Sequence, residues 1–293
     1  MKSRLQNKIS VFNIINTLIM IFVVIITLYP FLYLTSISMS SEKFVYSGDV
    51  TFYPRGFTLR TYKVLLKDTS FWISYKNTIM YTVLGTIISL TLTVLLAYPL
   101  SKRDLKGRGV FLGIILFTMF FSGGLIPTYL LVTRMLRMRN TIWAVVIPGA
   151  LSTFNVLITR TFFEGLPDEL EEAAAIDGMN TYGILLKIVL PLSKPILATM
   201  GLFYAVGMWN NWFGPFIYLD TKSLFPVSLY LRNIIAGAQS TREVTGGDVE
   251  GFGDIEATIK SASMIVSALP IIMVYPFIQK YFVKGVMIGS LKG

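Results

Sequence analysis

Charged residues are clustered along this chain and leave long apolar stretches between the clusters. Six stretches of at least 19 residues contain no Asp, Glu, Lys or Arg: 9–41, 77–101, 109–133, 140–159, 195–219 and 261–279. An α-helix rises about 1.5 Å per residue, so 19 residues reach roughly 28 Å, close to the roughly 30 Å of a bilayer's hydrocarbon core. The pattern therefore predicts an all-α integral membrane protein whose six spans lie at about 12–37, 77–100, 110–132, 141–160, 195–219 and 261–281.

The composition agrees with a membrane protein. Hydrophobic residues make up 54% of the chain and charged residues 14%, whereas typical soluble domains are about 25% charged. A soluble protein with six apolar helices would need a polar shell, and the remaining segments are too short to form one. The first apolar stretch follows Lys2, Arg4 and Lys8 as in a secretory signal, but it is longer and lacks a small-residue cleavage site before Glu42. We expect it to remain as a signal anchor.

The residue types exclude several kinds of chemistry. The chain contains no cysteine and no histidine. Thiol chemistry is therefore excluded, a metal site would have carboxylate ligands only, and the commonest base near neutral pH is missing. We expect no metal site and a non-catalytic protein, although a membrane-bound enzyme using other residues is an alternative. The net charge of +10 comes from basic residues that flank apolar spans and can contact lipid headgroups, so we do not expect nucleic acid binding.

Basic residues near the predicted spans bear on orientation. Lys2, Arg4, Lys8 and the basic cluster at 102–108 favour a cytoplasmic N-terminus, whereas Arg134, Arg137 and Arg139 oppose it. With six spans, this orientation places both termini and the segment 164–191 in the cytoplasm. The segment 220–260 then forms an extracytoplasmic loop.

The segment 164–191, called the acidic segment below, separates the fourth and fifth predicted spans. Five of the 16 acidic residues of the chain lie between Asp168 and Asp177. Pro167 followed by carboxylates predicts a helix start, Gly178 a helix stop, and Asn180 or Thr181 the cap of a second helix. The sequence therefore predicts a helical hairpin, in which alanines leave the backbone open to another protein. An ordinary solvated loop is the alternative.

The spacing within this segment is distinctive. Glu172-Ala173-Ala174 is followed after three residues by Gly178 and after nine more by Ile188-x-Leu190-Pro191. This pattern resembles the cytoplasmic signature of binding-protein-dependent ABC importer permeases of the maltose-type, carbohydrate-uptake branch. Further stretches of the chain are also similar to that family: 121–127, 140–141, 208–215 and 285–293.

The resemblance implies that the acidic segment docks on an ATPase subunit. The implied coupling residues are Glu171, Glu172, Ala173, Ala174, Asp177, Gly178, Leu190 and Pro191. The chain has no G-x-x-x-x-G-K-[ST] phosphate loop, so ATP and Mg would be bound by partner ATPase subunits and this chain would hold no cofactor. The implied partners are two ATPase subunits, an extracytoplasmic solute-binding protein and a second permease subunit in the bacterial cytoplasmic membrane. For this branch a heterodimer is favoured over a self-paired homodimer.

The six charge-free stretches carry no ionisable side chain other than tyrosine, which argues against a proton- or sodium-coupled carrier. They do carry polar and aromatic residues that suit a carbohydrate path: Asn155, Tyr204, Trp209, Asn210, Asn211 and Trp212. Aromatic rings pack against the C–H faces of sugars, and amides bind hydroxyl groups. Alternatively, the aromatic residues form an interfacial belt and the asparagines connect helices.

Two further groups of residues lie on the predicted outer side. The resemblance implies that the outer loop contacts the solute-binding protein, and the candidates are Gly246, Gly247, Gly251 and Phe252. Arg134, Arg137 and Arg139 suit the carboxylates of acidic oligosaccharides, or else anchor phospholipids. Together these features predict the permease subunit of an ATP-driven importer of a carbohydrate, expected to be an oligosaccharide. A channel or secondary carrier that works without an ATPase is the alternative.

Overall fold

A computed structural model describes residues 11–234, 236, 257–274 and 276. The described residues form helices and loops, with no β-strand among them. The chain divides into two units, one of residues 1–68 and 233–268 and the other of residues 69–232 and 269–293. Helix α15 (Ala257–Val274) contributes residues to both units.

The first unit begins with the long apolar helix α1 (Val11–Ser38), followed by the short helices α2 (Glu42–Tyr46) and α3 (Arg60–Lys67). An 18-residue stretch of α1 has a mean hydropathy of 2.6, and none of it is buried by the chain itself. Such a helix suits a lipid environment, because its own backbone hydrogen bonds are satisfied within the helix. The loop after α1 folds back through Ser41 N–H to Arg55 O (3.0 Å) and Thr58 N–H to Met39 O (2.9 Å).

The second unit is organised around its longest helix. Its helices are α4 (Thr69–Ser101), α5 (Arg108–Phe120), α6 (Leu125–Leu130), α7 (Ile142–Val146), α8 (Thr153–Glu164), α9 (Asp168–Ile176), α10 (Thr181–Ile184), α11 (Leu190–Leu192), α12 (Lys194–Asn210) and α13 (Phe213–Tyr218). Helix α14 (227–234) begins in this unit, and its last two residues belong to the first. Helix α4 packs against α12 and α8. At Gly85 a Cβ atom would lie 2.9 Å from the sulfur of Met208, so this helix pair approaches closely because the position lacks a side chain.

Several described helices are long and apolar enough to cross a bilayer. They are α1, α4 and α15, and the number reaches five if each of two bent helix pairs counts as one span. The predicted third span corresponds to α5 and α6 with its π-helical extension, bent by 110° around Gly124, whose φ is 83°. The predicted fifth span starts with α12 and is interrupted at 211–212 before α13.

The structure differs from the expectation of one continuous helix over 141–160. Helix α7 ends at Val146 and α8 begins at Thr153. The break contains Pro148 and Gly149; proline has no N–H for a helical hydrogen bond, and glycine is a poor helix former. The six crossings and the outer loop 220–260, much of which lies outside the described residues, stay predictions.

Candidate functional site

The acidic segment is a pair of helices joined by a tight turn. Helix α9 begins directly after Pro167, carries three carboxylates in its first turn and ends at Ile176. Gly178 has a φ of 81°, a left-handed conformation that glycine adopts without strain. Helix α10 follows, and the Asn180 side chain accepts a hydrogen bond from Gly183 N–H at 2.8 Å. The helix start, stop and cap therefore lie at the residues where the sequence predicts them.

The acidic segment has one face against the bundle and one face exposed. On the inner face, Ala174 is 6% exposed and belongs to an apolar cluster that contains side chains of α4, α8 and the α10–α11 region: Val94, Ala97, Tyr98, Leu100, Val156, Phe163, Ile184, Leu185 and Val189. On the outer face, Glu172, Ala173 and Asp177 are exposed. Ile176 and Tyr182, on either side of the turn, are 86% and 73% exposed. The exposed face thus combines carboxylates with large apolar groups.

Glu171 is largely buried against the end of α4. Its Oε2 lies 2.5 Å from Lys102 Nζ and accepts a hydrogen bond from Tyr98 OH at 3.0 Å. The Lys102 ammonium also lies 4.8 Å from the centre of the Tyr98 ring, within the range of a cation–π contact. We call Tyr98, Lys102 and Glu171 the Glu171 strut. It connects α9 to the end of α4.

A second charged cluster lies at the same end of the bundle. The Nε atoms of Arg108 and Arg160 donate to the Leu100 carbonyl at 2.9 Å and 3.0 Å. Both guanidinium groups also contact Glu164 Oε1. One carboxylate and one helix-terminal carbonyl therefore connect the ends of α4, α5 and α8, close to where the acidic segment starts.

A cavity of about 360 Å³ lies between α7, α8, α12 and α13. Asn155, Tyr204 and Asn211, three of the residues proposed for the carbohydrate path, line it together. Asn155 is 6% exposed, and its side-chain amide has no hydrogen-bond partner among the described residues. Tyr204 differs, because its hydroxyl pairs with Thr93 Oγ1 at 2.7 Å and accepts from Ser152 N–H at 3.3 Å.

The structure places the other three proposed path residues elsewhere. The Trp209 ring packs edge-on against Tyr75, with centroids 5.8 Å apart. Asn210 Nδ2 donates to the Val206 carbonyl of its own helix at 3.0 Å. Trp212 is 42% exposed, and the Arg232 guanidinium lies 5.4 Å from its ring centre. These three side chains do not line the cavity that holds Asn155.

The three arginines between the third and fourth predicted spans have different surroundings. Arg139 forms two hydrogen bonds of 3.0 Å to the carboxylate of Asp220. These hydrogen bonds and the negative charge raise the pKa of Arg139 above its usual value. Arg134 and Arg137 are exposed and have no ion-pair partner within the described ranges. Arg134 and Arg137 are therefore available to bind an anion.

The family follows from comparison of the sequence with known proteins. Residues 86–288 match the family described as "Binding-protein-dependent transport system inner membrane component". The chain belongs to this family. The resemblance seen in the acidic segment is therefore confirmed, and the chain is a membrane permease.

Individual relatives resemble the permease over nearly its whole length. Protein LplC of Bacillus subtilis (strain 168) is 42% identical over 97% of this chain and 95% of LplC. The polygalacturonan/rhamnogalacturonan transport system permease protein YtcP of the same organism is 40% identical over 92% of this chain and 94% of YtcP. A chain in the crystal structure of a bacterial ABC transporter involved in the import of the acidic polysaccharide alginate is 38% identical, with a TM-score of 0.84 over 93% of this chain and 96% of that chain.

Some proposed sites of the permease stay predictions. Gly246, Gly247, Gly251 and Phe252 lie outside the described residues. Leu190 is partly buried against the apolar cluster of the acidic segment, while Pro191 is exposed. The ATPase-coupling role of the acidic segment likewise remains a prediction.

The structure of the permease shows three functional candidates whose exposure or contacts the sequence does not predict: Ile176, Tyr182 and Lys102. The exposure of Ile176 and Tyr182 was not expected, although their positions on either side of the Gly178 turn are a usable signal. In the sequence, Lys102 stands out only as part of the basic cluster at 102–108 that bears on orientation. Its contact with Glu171 spans 69 positions along the chain, and no local pattern predicts such a contact.

Proposed function

We propose that the chain is the membrane permease subunit of an ATP-driven importer that takes up a carbohydrate delivered by a solute-binding protein. The main support is the arrangement of the acidic segment. Its outer face exposes Glu172, Ile176 and Tyr182, and its inner face packs against α4 and α8. A partner that moves the outer face would also move these helices. Such coupling lets an ATPase cycle shift the bundle between inward and outward access.

Each subunit of this transporter has its own role and position. The chain itself is non-catalytic, and two partner ATPase subunits bind ATP and Mg. A second, homologous permease subunit completes the pathway as a heterodimer. Both termini and the acidic segment lie in the cytoplasm, and the outer loop 220–260 contacts the solute-binding protein.

The substrate class that we propose is an acidic oligosaccharide. Two of the relatives are described with acidic polysaccharides, namely polygalacturonan/rhamnogalacturonan and alginate. Arg134 and Arg137 are exposed and suit carboxylates, since guanidinium groups bind them in a bidentate fashion. The unpartnered amide of Asn155 in its cavity adds a group that binds sugar hydroxyls.

The test is uptake into proteoliposomes that contain the whole transporter, purified on a tag on this chain. The substrates are trigalacturonate and the neutral trisaccharide maltotriose. The double variant Arg134→Gln/Arg137→Gln is expected to lower trigalacturonate uptake at limiting concentration by about tenfold through lost electrostatic attraction. The matched control is Arg139→Gln, since Arg139 is already paired with Asp220, and it is expected to change uptake much less.

The same preparation tests the broader proposal. Uptake should require ATP, stop with vanadate and fail without the binding protein. Transport by the purified chain alone would support the carrier or channel alternative. Equal loss of trigalacturonate uptake in the double variant and in Arg139→Gln would argue against the role of Arg134 and Arg137.

A further inference from the structure

Two adjacent glutamates of the acidic segment differ in exposure and in partners, although both line a cavity of about 670 Å³ between α9 and the end of α4. The Glu172 side chain is exposed, whereas that of Glu171 is 16% exposed and paired with Lys102. On a helix, neighbouring residues are about 100° apart, so one can point outward and the next inward. Glu172 is therefore available to another protein, and Glu171 is held within this chain.

Apolar packing alone holds α9 weakly. Ala174 is the one buried residue of this nine-residue helix, and it contributes a single methyl group. Beyond the helix ends, Leu166 and Met179 are partly buried against the same cluster. The Glu171 strut adds a charge-assisted contact of 2.5 Å to Lys102 and a hydrogen bond of 3.0 Å from Tyr98. Because charge-assisted hydrogen bonds are short and directional, this contact fixes the orientation of α9 better than one methyl group can.

The Glu171 strut connects α9 to α4, the helix through which a movement of α9 can reach the rest of the bundle. Tyr98 belongs to α4, and Lys102 is the first residue after the end of that helix. Helix α4 packs against both α12 and α8, and those two helices line the cavity with Asn155 and Tyr204. A fixed angle between α9 and α4 therefore connects the exposed face of the acidic segment to the walls of this cavity.

We propose that Glu171 is a positioning residue, which through Lys102 and Tyr98 holds α9 at a constant angle to α4 during the transport cycle. Glu171 does not contact the ATPase; that role belongs to Glu172 and the exposed face. The inference rests on the proposed function, in which an ATPase moves the acidic segment. The strut is the rigid contact through which this movement reaches α4.

The experiment uses the absence of cysteine from the chain. Nitroxide labels are placed at Leu170→Cys on α9 and Leu95→Cys on α4, whose native residues are 43% and 51% exposed. Leu170 lies on the side of α9 away from Glu172 and Ile176, so the label leaves the proposed docking face free. The distance distribution between the labels is measured by double electron–electron resonance in the whole complex in nanodiscs, without nucleotide and with ATP and vanadate. In the otherwise native chain we expect one narrow distribution in both states.

The variants distinguish a residue that positions α9 from a residue that contacts the ATPase. Glu171→Gln and Lys102→Met should each broaden the distribution, keep the ATPase subunits bound, and raise the ATP hydrolysed per trigalacturonate imported by about fivefold or more. The charge-swapped pair Lys102→Glu/Glu171→Lys should restore the narrow distribution and much of the coupling. The matched control Glu172→Gln should keep the distribution narrow and weaken ATPase binding.

Three results would overturn the inference. They are an unchanged distribution in both Glu171→Gln and Lys102→Met, loss of ATPase subunits in Glu171→Gln as in Glu172→Gln, and failure of the charge swap to restore the native distribution. Failure of the proposed function looks different, because the native chain would then recover no ATPase subunits or import nothing with ATP, whatever the label distances show.

Discussion

Asn140 shows how a single side chain can hold two distant segments together. Its φ is 58°, a left-handed conformation that asparagine tolerates better than most residues. Its Oδ1 accepts from the N–H groups of Asp220 and Thr221 at 3.0 Å, and its Nδ2 donates to Thr221 Oγ1 at 2.8 Å. The adjacent pair of Arg139 and Asp220 reinforces this connection between the start of the fourth predicted span and the end of the fifth.

The first prediction concerns this connection. Asn140→Ala removes three side-chain hydrogen bonds and puts alanine, which tolerates the left-handed conformation less well than asparagine, at this position. We therefore expect the free energy of unfolding to fall by about 1–2 kcal/mol. Thermal unfolding of the detergent-purified protein measures it. Asn140→Gly keeps the backbone relaxed and should lose less. Equal unfolding temperatures for the native and Asn140→Ala proteins would show that these hydrogen bonds add little.

The second prediction is that Tyr204 and Asn155, which line the same cavity, have different roles: Tyr204 stabilises the fold and Asn155 binds the substrate. Tyr204→Phe leaves Thr93 Oγ1 without its 2.7 Å partner, so stability should fall by about 1 kcal/mol. Asn155→Leu removes an amide that has no hydrogen-bond partner among the described residues, so stability should change little while uptake of trigalacturonate falls. Unfolding temperature and initial uptake rate are measured for both variants. A stable Asn155→Leu variant with native uptake would remove Asn155 from the carbohydrate path.

At the scale of elements, the turn between α9 and α10 depends on backbone conformation rather than on packing. Gly178 has a φ of 81°, and a Cβ atom added there would meet nothing within 4 Å. A substitution therefore acts through the left-handed conformation itself. This allows a test in which side-chain size and backbone strain are distinguished.

The third prediction uses that distinction. Gly178→Val should strain the turn by roughly 1–2 kcal/mol, since β-branched residues strongly avoid this conformation. Gly178→Asn should be nearly native, because asparagine visits this region more readily. We expect Gly178→Val to insert normally but to hydrolyse more ATP per trigalacturonate imported. Similar coupling in the two variants would indicate that the angle between α9 and α10 does not matter for transport.

At the scale of the whole molecule, the two charged clusters at the ends of α4, α5, α8 and α9 lie on one side of the bundle. They comprise the Glu171 strut and the contacts of Glu164 with Arg108 and Arg160. The Arg139–Asp220 pair joins the 136–141 loop to the end of α13. The proposed orientation assigns the first two clusters to the cytoplasm and this pair to the exterior.

The fourth prediction tests this orientation with single introduced cysteines, which stand alone because the chain has none. In cells that lack the ATPase subunits, which would otherwise cover this face, Ile176→Cys should react with a membrane-impermeant maleimide in inside-out vesicles and not in intact cells, because its position is 86% exposed in the chain alone. Arg137→Cys should show the reverse pattern. Labelling of Ile176→Cys from outside intact cells would place the acidic segment on the wrong side for an ATPase and would contradict the proposed function.

Local patterns in the sequence determined much of the helical structure. Charge-free stretches predict α1 and most of α4, because a long apolar helix is favoured wherever it can enter lipid. The bounds of α9 follow from Pro167 and Gly178, since helix starts and stops depend on a few neighbouring residues. The motif from Glu172 to Pro191 was also sufficient to indicate the family that the comparison confirms.

Tertiary structure alone decided how these pieces meet. It placed a break between α7 and α8, where the sequence showed one apolar stretch. It turned Glu171 inward and left Glu172 exposed, and it brought Asn155, Tyr204 and Asn211, but not Trp209, into one cavity. The physical reason is that such contacts join residues far apart in the chain, so their geometry depends on the packing of several helices at once rather than on the preferences of any one of them.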